Sequence, residues 1–89
     1  GSQTIVDVEN QMDVDICAIY ISYASSSDWG NNLLTSGQTI PPYNYVSFYV
    51  DVGETIDILA SDCSGNEIDS LFDVYIPAEG LTVTYSPNY

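Results

Sequence analysis

The sequence predicts an all-β domain, an antiparallel β-sandwich of six to seven short strands, on three observations. Apolar and polar residues alternate over short runs, and no segment carries an apolar stripe at helical spacing. Gly, Pro, Asn and Asp separate these runs at intervals of roughly 8–12 residues, the punctuation of sandwich loops. The 45 % apolar fraction, rich in Ile, Val and Tyr, is enough for a two-layer core in 89 residues.

The first strand is expected over residues 4–9, where Val6 and Val8 alternate with Asp7 and Glu9, and Asn10-Gln11-Met12-Asp13 reads as a turn. Residues 14–24 are apolar on both faces (Val14, Ile16, Ala18 and Tyr20 against Cys17, Ile19 and Ile21), the pattern of a central strand covered on both sides. A polar loop over residues 25–32 follows, after which Leu33 and Leu34 re-enter the core and residues 38–40 form a short strand before Pro41-Pro42. Residues 45–52 put Val46, Phe48, Val50 and Val52 inward and Tyr45, Ser47, Tyr49 and Asp51 outward. Gly53 turns the chain into residues 55–61, with Ile56, Ile58 and Ala60 inside. Residues 62–66 are a second polar loop, and residues 68–76 and 81–85 complete the set around the turn Pro77-Ala78-Glu79-Gly80. Residues 4–86 read as one domain, residues 1–3 as a tail beginning with a Gly-Ser cloning remnant, and residues 87–89 as a second, frayed tail.

Cys17 and Cys63 stand in β-rich surroundings, outside any C-x-x-C pair and without histidine to complete a zinc site. A disulfide is the expectation, two small buried thiols the alternative. Strand parity ties the disulfide to topology. If residues 35–40 are only loop, the strands bearing the two cysteines run the same way and the sulfurs sit well over ~10 Å apart, beyond the ~7 Å Cα reach of a disulfide. The bond therefore predicts a seventh strand over residues 35–40.

Thirteen carboxylates and no lysine, arginine or histidine give a net charge of −13. That composition excludes salt bridges to side-chain cations, Schiff bases, histidine catalysis and arginine clamps on phosphate. It also argues against nucleic acids and anionic membrane surfaces, both recognised through Lys and Arg. No run of apolar residues is long enough to span a bilayer. Self-repulsion at this density favours bound cations as relief, and oxygen-only donors favour calcium over softer metals.

Two loops are candidates. Asp62, Ser64 and Asn66, with Asp69 beyond, follow the D-x-S-x-N spacing of the first half of a calcium loop; the glycine and closing glutamate of a full EF-hand loop are missing, and Ser64-Gly65-Asn66 is also an ordinary hairpin turn. Asp28 and Asn31 flank Trp29 in the other loop, which reads as an apolar plug with Leu33 and Leu34, a metal loop or a sugar-stacking platform. Outward Tyr45, Tyr49 and Tyr75 form either a packing surface or an adhesive contact, and Tyr45 and Tyr49 join Trp29 as ligand-binding candidates. No organised carboxylate pair or cleft supports an enzyme.

The pattern Ile16-Cys17-x-x-Tyr20-Ile21-Ser22, then Ser25-Ser26-Ser27-x-Trp29-Gly30-x-Asn32-Leu33-Leu34, Thr39-Ile40-Pro41-Pro42 and Asp62-Cys63-x-Gly65-Asn66, resembles immunoglobulin-like modules of bacterial secreted and surface proteins over residues 15–66. The resemblance implies a secreted or cell-surface accessory module. The functional expectation is a non-catalytic, calcium-binding structural or adhesive module whose partners are other domains or subunits of a surface assembly, or glycans. The alternatives are a carbohydrate-binding module and a strand-exchanging filament subunit that adds residues 4–9 to a neighbour's sheet.

Overall fold

The computed structural model describes residues 2–23 and 28–87, which hold six strands and no helix. The strands are β1 (Gln3–Asn10), β2 (Ala18–Tyr23), β3 (Tyr45–Asp51), β4 (Thr55–Ser61), β5 (Glu67–Tyr75) and β6 (Leu81–Tyr85). They form two three-stranded sheets, ordered β3-β1-β6 and β2-β4-β5. Part of the 25–32 loop and the end of the C-terminal tail fall outside the described residues.

Side-chain alternation sets which face of each strand is buried. Val6 and Val8 of β1, Val50 of β3 and Val83 and Tyr85 of β6 meet Ile19 of β2 and Ile56, Ile58 and Ala60 of β4 in one core. Ile16, Leu34, Ile40 and Ile76 add to it from outside the strands. Each buried Ile or Val contributes roughly 1.5–3 kcal/mol by leaving water, which is why the period-2 pattern dictates the local structure. Every buried side-chain nitrogen or oxygen among the described residues has a hydrogen-bond partner.

Several expectations are corrected. Ladders β1–β3, β2–β4 and β4–β5 are antiparallel, but β1 and β6 run parallel, with Val6 opposite Leu81 and Asn10 opposite Tyr85. The predicted first strand therefore lies at the centre of its sheet, not at an edge. The predicted central strand shortens to β2 and lies at the end of its sheet's ladder; Val14 is 43 % exposed. Tyr85, the last residue of β6, closes the core, with 1 % of its surface exposed.

Residues 35–40 form no strand, yet the disulfide forms. The turn at Thr35–Gln38, closed by Gln38 N–H on Thr35 C=O at 2.9 Å with Gly37 at φ 81°, breaks the extended run. The reversal it was required to supply still occurs. Leu33 N–H donates to Ile19 C=O at 2.8 Å, and Ile16 and Ile40 exchange both backbone bonds at 3.0 and 2.8 Å. The chain thus runs back beside β2 without a continuous ladder, so β2 and β4 are antiparallel, with Ala18 opposite Ser61. Cys17, one residue before β2, bonds to Ser61 C=O through its N–H and is bridged to Cys63, just past β4, with the Cα atoms 4.9 Å apart.

Two polar residues hold this path. Asn10 is fully buried; its Nδ2 donates to Val14 C=O and Ile40 C=O, both at 2.8 Å, and its Oδ1 accepts from Met12 N–H at 2.9 Å. Asn32 Oδ1 accepts from Ile19 N–H at 2.9 Å and Leu34 N–H at 3.0 Å, and its Nδ2 donates to Cys17 C=O at 3.3 Å. Both satisfy backbone groups that the missing ladder leaves open. At the other turn, Gly80 has φ 89°, and a Cβ there would stand 2.7 Å from Ile5 C=O, so only glycine fits.

Tyr85 donates its hydroxyl proton to Ile58 C=O at 3.2 Å, linking the two sheets. Burial, reinforced by the charges of Asp69 and Glu67, pushes its ionisation well above the usual phenol range. Tyr23, donating to Asp51 Oδ2 at 2.9 Å, is also raised, first by that hydrogen bond and then by desolvation. Folded values above the unfolded one contribute stability that is complete below about pH 10 and lost as pH rises through them. Denaturant midpoints should hold steady to about pH 9 and fall above about pH 10, with Tyr85→Phe removing most of the fall. Midpoints unchanged through strong alkali would contradict this account of the sheet-to-sheet bond.

Candidate functional site

The two acidic loops are built by local hydrogen bonding. Asp62 Oδ1 accepts from Ser64 N–H and Asn66 N–H, both at 2.9 Å, while Asp62 N–H bonds Asn66 C=O at 2.9 Å. One carboxylate thereby caps the turn between β4 and β5, with Gly65 supplying the positive φ of 85°. The D-x-S-x-N spacing serves the backbone here. Asp69 lies on β5 and caps Ser70 N–H at 2.9 Å. Asp28 accepts from Gly30 N–H at 3.1 Å, and Asn31 is exposed beside it. Among the described residues, no three Asp, Glu or Cys side chains gather into a group able to hold a metal ion.

Beside the disulfide, Asp13, Val14, Asp15, Asp62, Cys63 and Ser64 line an open recess of about 410 Å³. It draws acids from the β1–β2 connection and the β4–β5 turn to one end of the molecule, a juxtaposition the sequence pattern does not show.

The aromatic candidates separate. Trp29 is half-buried and packs against Phe72 of β5, ring centroids 6.2 Å apart and planes tilted by 51°. Leu34 is buried, but Leu33 is 44 % exposed, so the expected three-residue plug is only partly formed. Phe72 lies in a bulge where β4 and β5 slip register between Ile56 and Ile58. Asp73 there has φ 58° and its N–H bonds Asp57 Oδ1 at 3.0 Å. Bulges of this kind re-aim a side chain and blunt an edge strand.

Tyr45 and Tyr49 stand instead on the outer face of the β3-β1-β6 sheet, 62 % and 73 % exposed. Tyr75, expected in the same row, belongs to β5 of the other sheet. Across the β1–β3 ladder, Glu9 faces Tyr45, Asp7 faces Ser47, Ile5 faces Tyr49 and Gln3 faces Asp51. Ser47 hydroxyl donates to Asp7, and Gln3 Nε2 to Asp51 Oδ1 at 3.2 Å. A second open recess, about 380 Å³, continues this face past Ile5 and Asp7 to Glu79, Gly80, Leu81 and Thr82. The molecule thus offers a tyrosine-and-carboxylate sheet face and an acidic recess at its disulfide end. No protein family, curated protein or solved structure matches this chain.

Proposed function

We propose that this chain is a non-catalytic structural or adhesive module of a larger secreted or cell-surface protein or assembly, an immunoglobulin-like sandwich closed by one disulfide and stabilised by calcium. The observation that carries the reading is the Cys17–Cys63 bond, which uses both cysteines. Such bonds belong to oxidising compartments. The two three-stranded sheets around one core support an all-β module. Open aromatic and acidic surface supports work done through contacts.

Calcium enters on charge. Thirteen carboxylates have no side-chain cation in the chain, and Asp13, Asp15 and Asp62 border one recess. Because Asp62 already caps its turn, the cation is expected to act at the recess as a whole, with no preformed cage. The test compares thermal melts in chelator and in ~5 mM calcium. At 100 times its Kd a ligand stabilises by about 2.7 kcal/mol, and each kcal/mol moves the midpoint of a domain this size by about 4–8 °C. A rise of several degrees is expected, reduced by Asp13→Asn/Asp15→Asn; a rise below about 2 °C would remove calcium from the reading.

The carbohydrate-binding alternative retains one favourable observation, the exposed Tyr45 and Tyr49, although Trp29 packs on the other sheet. Strand exchange through residues 4–9 loses its basis, because β1 is already paired on both sides.

A further inference from the structure

We propose that the outer face of the β3-β1-β6 sheet, centred on Tyr45, Tyr49 and Asp7, docks an arginine-bearing protein surface. The proposal rests on reading the chain as one module of a larger assembly and names the chemistry of its partner.

The face is ordered by the β1–β3 register. Tyr45 and Tyr49 are four residues apart on one strand, roughly 13 Å. Asp7 and Ser47 lie between them, Glu9 is opposite Tyr45, and Asp51 follows Tyr49 on the same side. Directly opposed side chains stand about 5 Å apart and diagonal ones about 7 Å. A guanidinium laid on either ring therefore reaches a carboxylate at the same time, combining cation–π attraction with a charge-assisted hydrogen bond. Lysine can do the first but cannot present the planar fork for the second.

Charge selects the occupant. The chain has no side-chain cation with which to neutralise Asp7, Glu9 and Asp51. A second copy brings another net charge of −13 and is repelled. An apolar partner would strip water from three carboxylates without replacing their counter-charge. A cationic surface alone matches both the rings and the acids. The face measures roughly 15 by 25 Å from strand spacing and rise, about half of the ~800 Å² per partner of a stable interface. Each contact is accordingly weak and reversible, and binding strengthens when modules act in multiples.

The test is a titration of the oxidised, ¹⁵N-labelled chain, in chelator and low salt, with a hexa-arginine peptide, a hexalysine peptide and a neutral Gly-Ser peptide. Amide shifts should concentrate at residues 5–9 and 45–51, and arginine should bind about fivefold more tightly than lysine. Tyr45→Thr/Tyr49→Thr should weaken arginine binding about tenfold. Both positions are exposed and threonine is a good strand former, so the melting temperature should be kept. Should the double variant unfold, Tyr49→Thr alone is read, with about a threefold loss expected. Shifts spread evenly over residues 13–15 and 62–69, or a variant within about twofold of wild type, would reduce the effect to polyanion attraction and overturn the proposal. A dimer that the variant dissolves would seat a second copy on this face, and shifts from a neutral hexasaccharide without arginine binding would seat a glycan; either overturns it. Because chelator is present throughout, failure here is separate from failure of the calcium melt.

Discussion

Asn10→Ala is expected to lower stability by about 3 kcal/mol, the largest effect of any single polar substitution in this chain. The side chain is fully buried and makes three hydrogen bonds, to Val14 C=O, Ile40 C=O and Met12 N–H. Its own backbone adds two more, N–H to Asn44 C=O at 2.9 Å and C=O from Tyr43 N–H at 2.6 Å. One residue therefore joins the end of β1, the turn after it, and the segment that returns beside β2. Alanine would leave Ile40 C=O with reduced bonding at a buried site, and Val14 C=O and Met12 N–H at part-buried ones, each costing about 1 kcal/mol. In a domain of this size the melting midpoint should fall by about 12–24 °C. Asn10→Asp keeps the shape but aims a carboxylate oxygen at two carbonyls and buries a charge. It should destabilise at least as much near neutral pH and recover partly in acid, where the side chain is protonated. Denaturant titrations at two pH values measure both. A loss below about 1 kcal/mol for Asn10→Ala would mean that the turn does not depend on this amide.

Asn10 also shows where the sequence stops being legible. In sequence it is one polar residue among Asn10-Gln11-Met12-Asp13, and turn chemistry is the natural reading. Nothing local distinguishes an asparagine that starts a surface turn from one pulled into the core to serve distant carbonyls. Asn32 is the same case: its partners at Ile19, Leu34 and Cys17 are set by tertiary path. By contrast, β4 and β6 are read to the residue, because their buried apolar residues, Ile56, Ile58 and Ala60 in one and Val83 and Tyr85 in the other, fall at every second position. Strand pairing is less accessible. Alternation says which side of a strand faces inward but not which strand lies beside it, so the parallel β1–β6 pair and the central place of β1 went unforeseen.

The site divides along the same line. Outward Tyr45 and Tyr49 follow from period 2 alone, whereas their alignment with Glu9 and Ile5 needs the ladder. The loop at residues 62–66 illustrates a degeneracy: side-chain oxygens spaced to surround an ion are also spaced to cap their own backbone, and here Asp62 does the latter. Strand parity links the cysteines correctly but assigns the reversal to a strand that does not form. What it required was a reversal of direction, and hydrogen bonds at Leu33 and Ile40 supply that without regular structure.

The reading as a disulfide-closed module of an oxidising location is tested most directly by reducing Cys17–Cys63 and measuring stability in the same buffer. The bond spans 46 residues of sequence, and by the chain-entropy argument closing a loop of that size contributes about 4 kcal/mol. It joins the two places where regular pairing ends, one residue before β2 and two residues after β4, so no continuous ladder substitutes for it. Urea titrations of the oxidised chain, the reduced chain and Cys17→Ala/Cys63→Ala should show a loss of about 2–4 kcal/mol in both thiol-free and reduced forms, with a melting midpoint lower by ten degrees or more. Reduced and oxidised chains within about 1 kcal/mol of each other would contradict the account, leaving the bond incidental to a fold that stands without it.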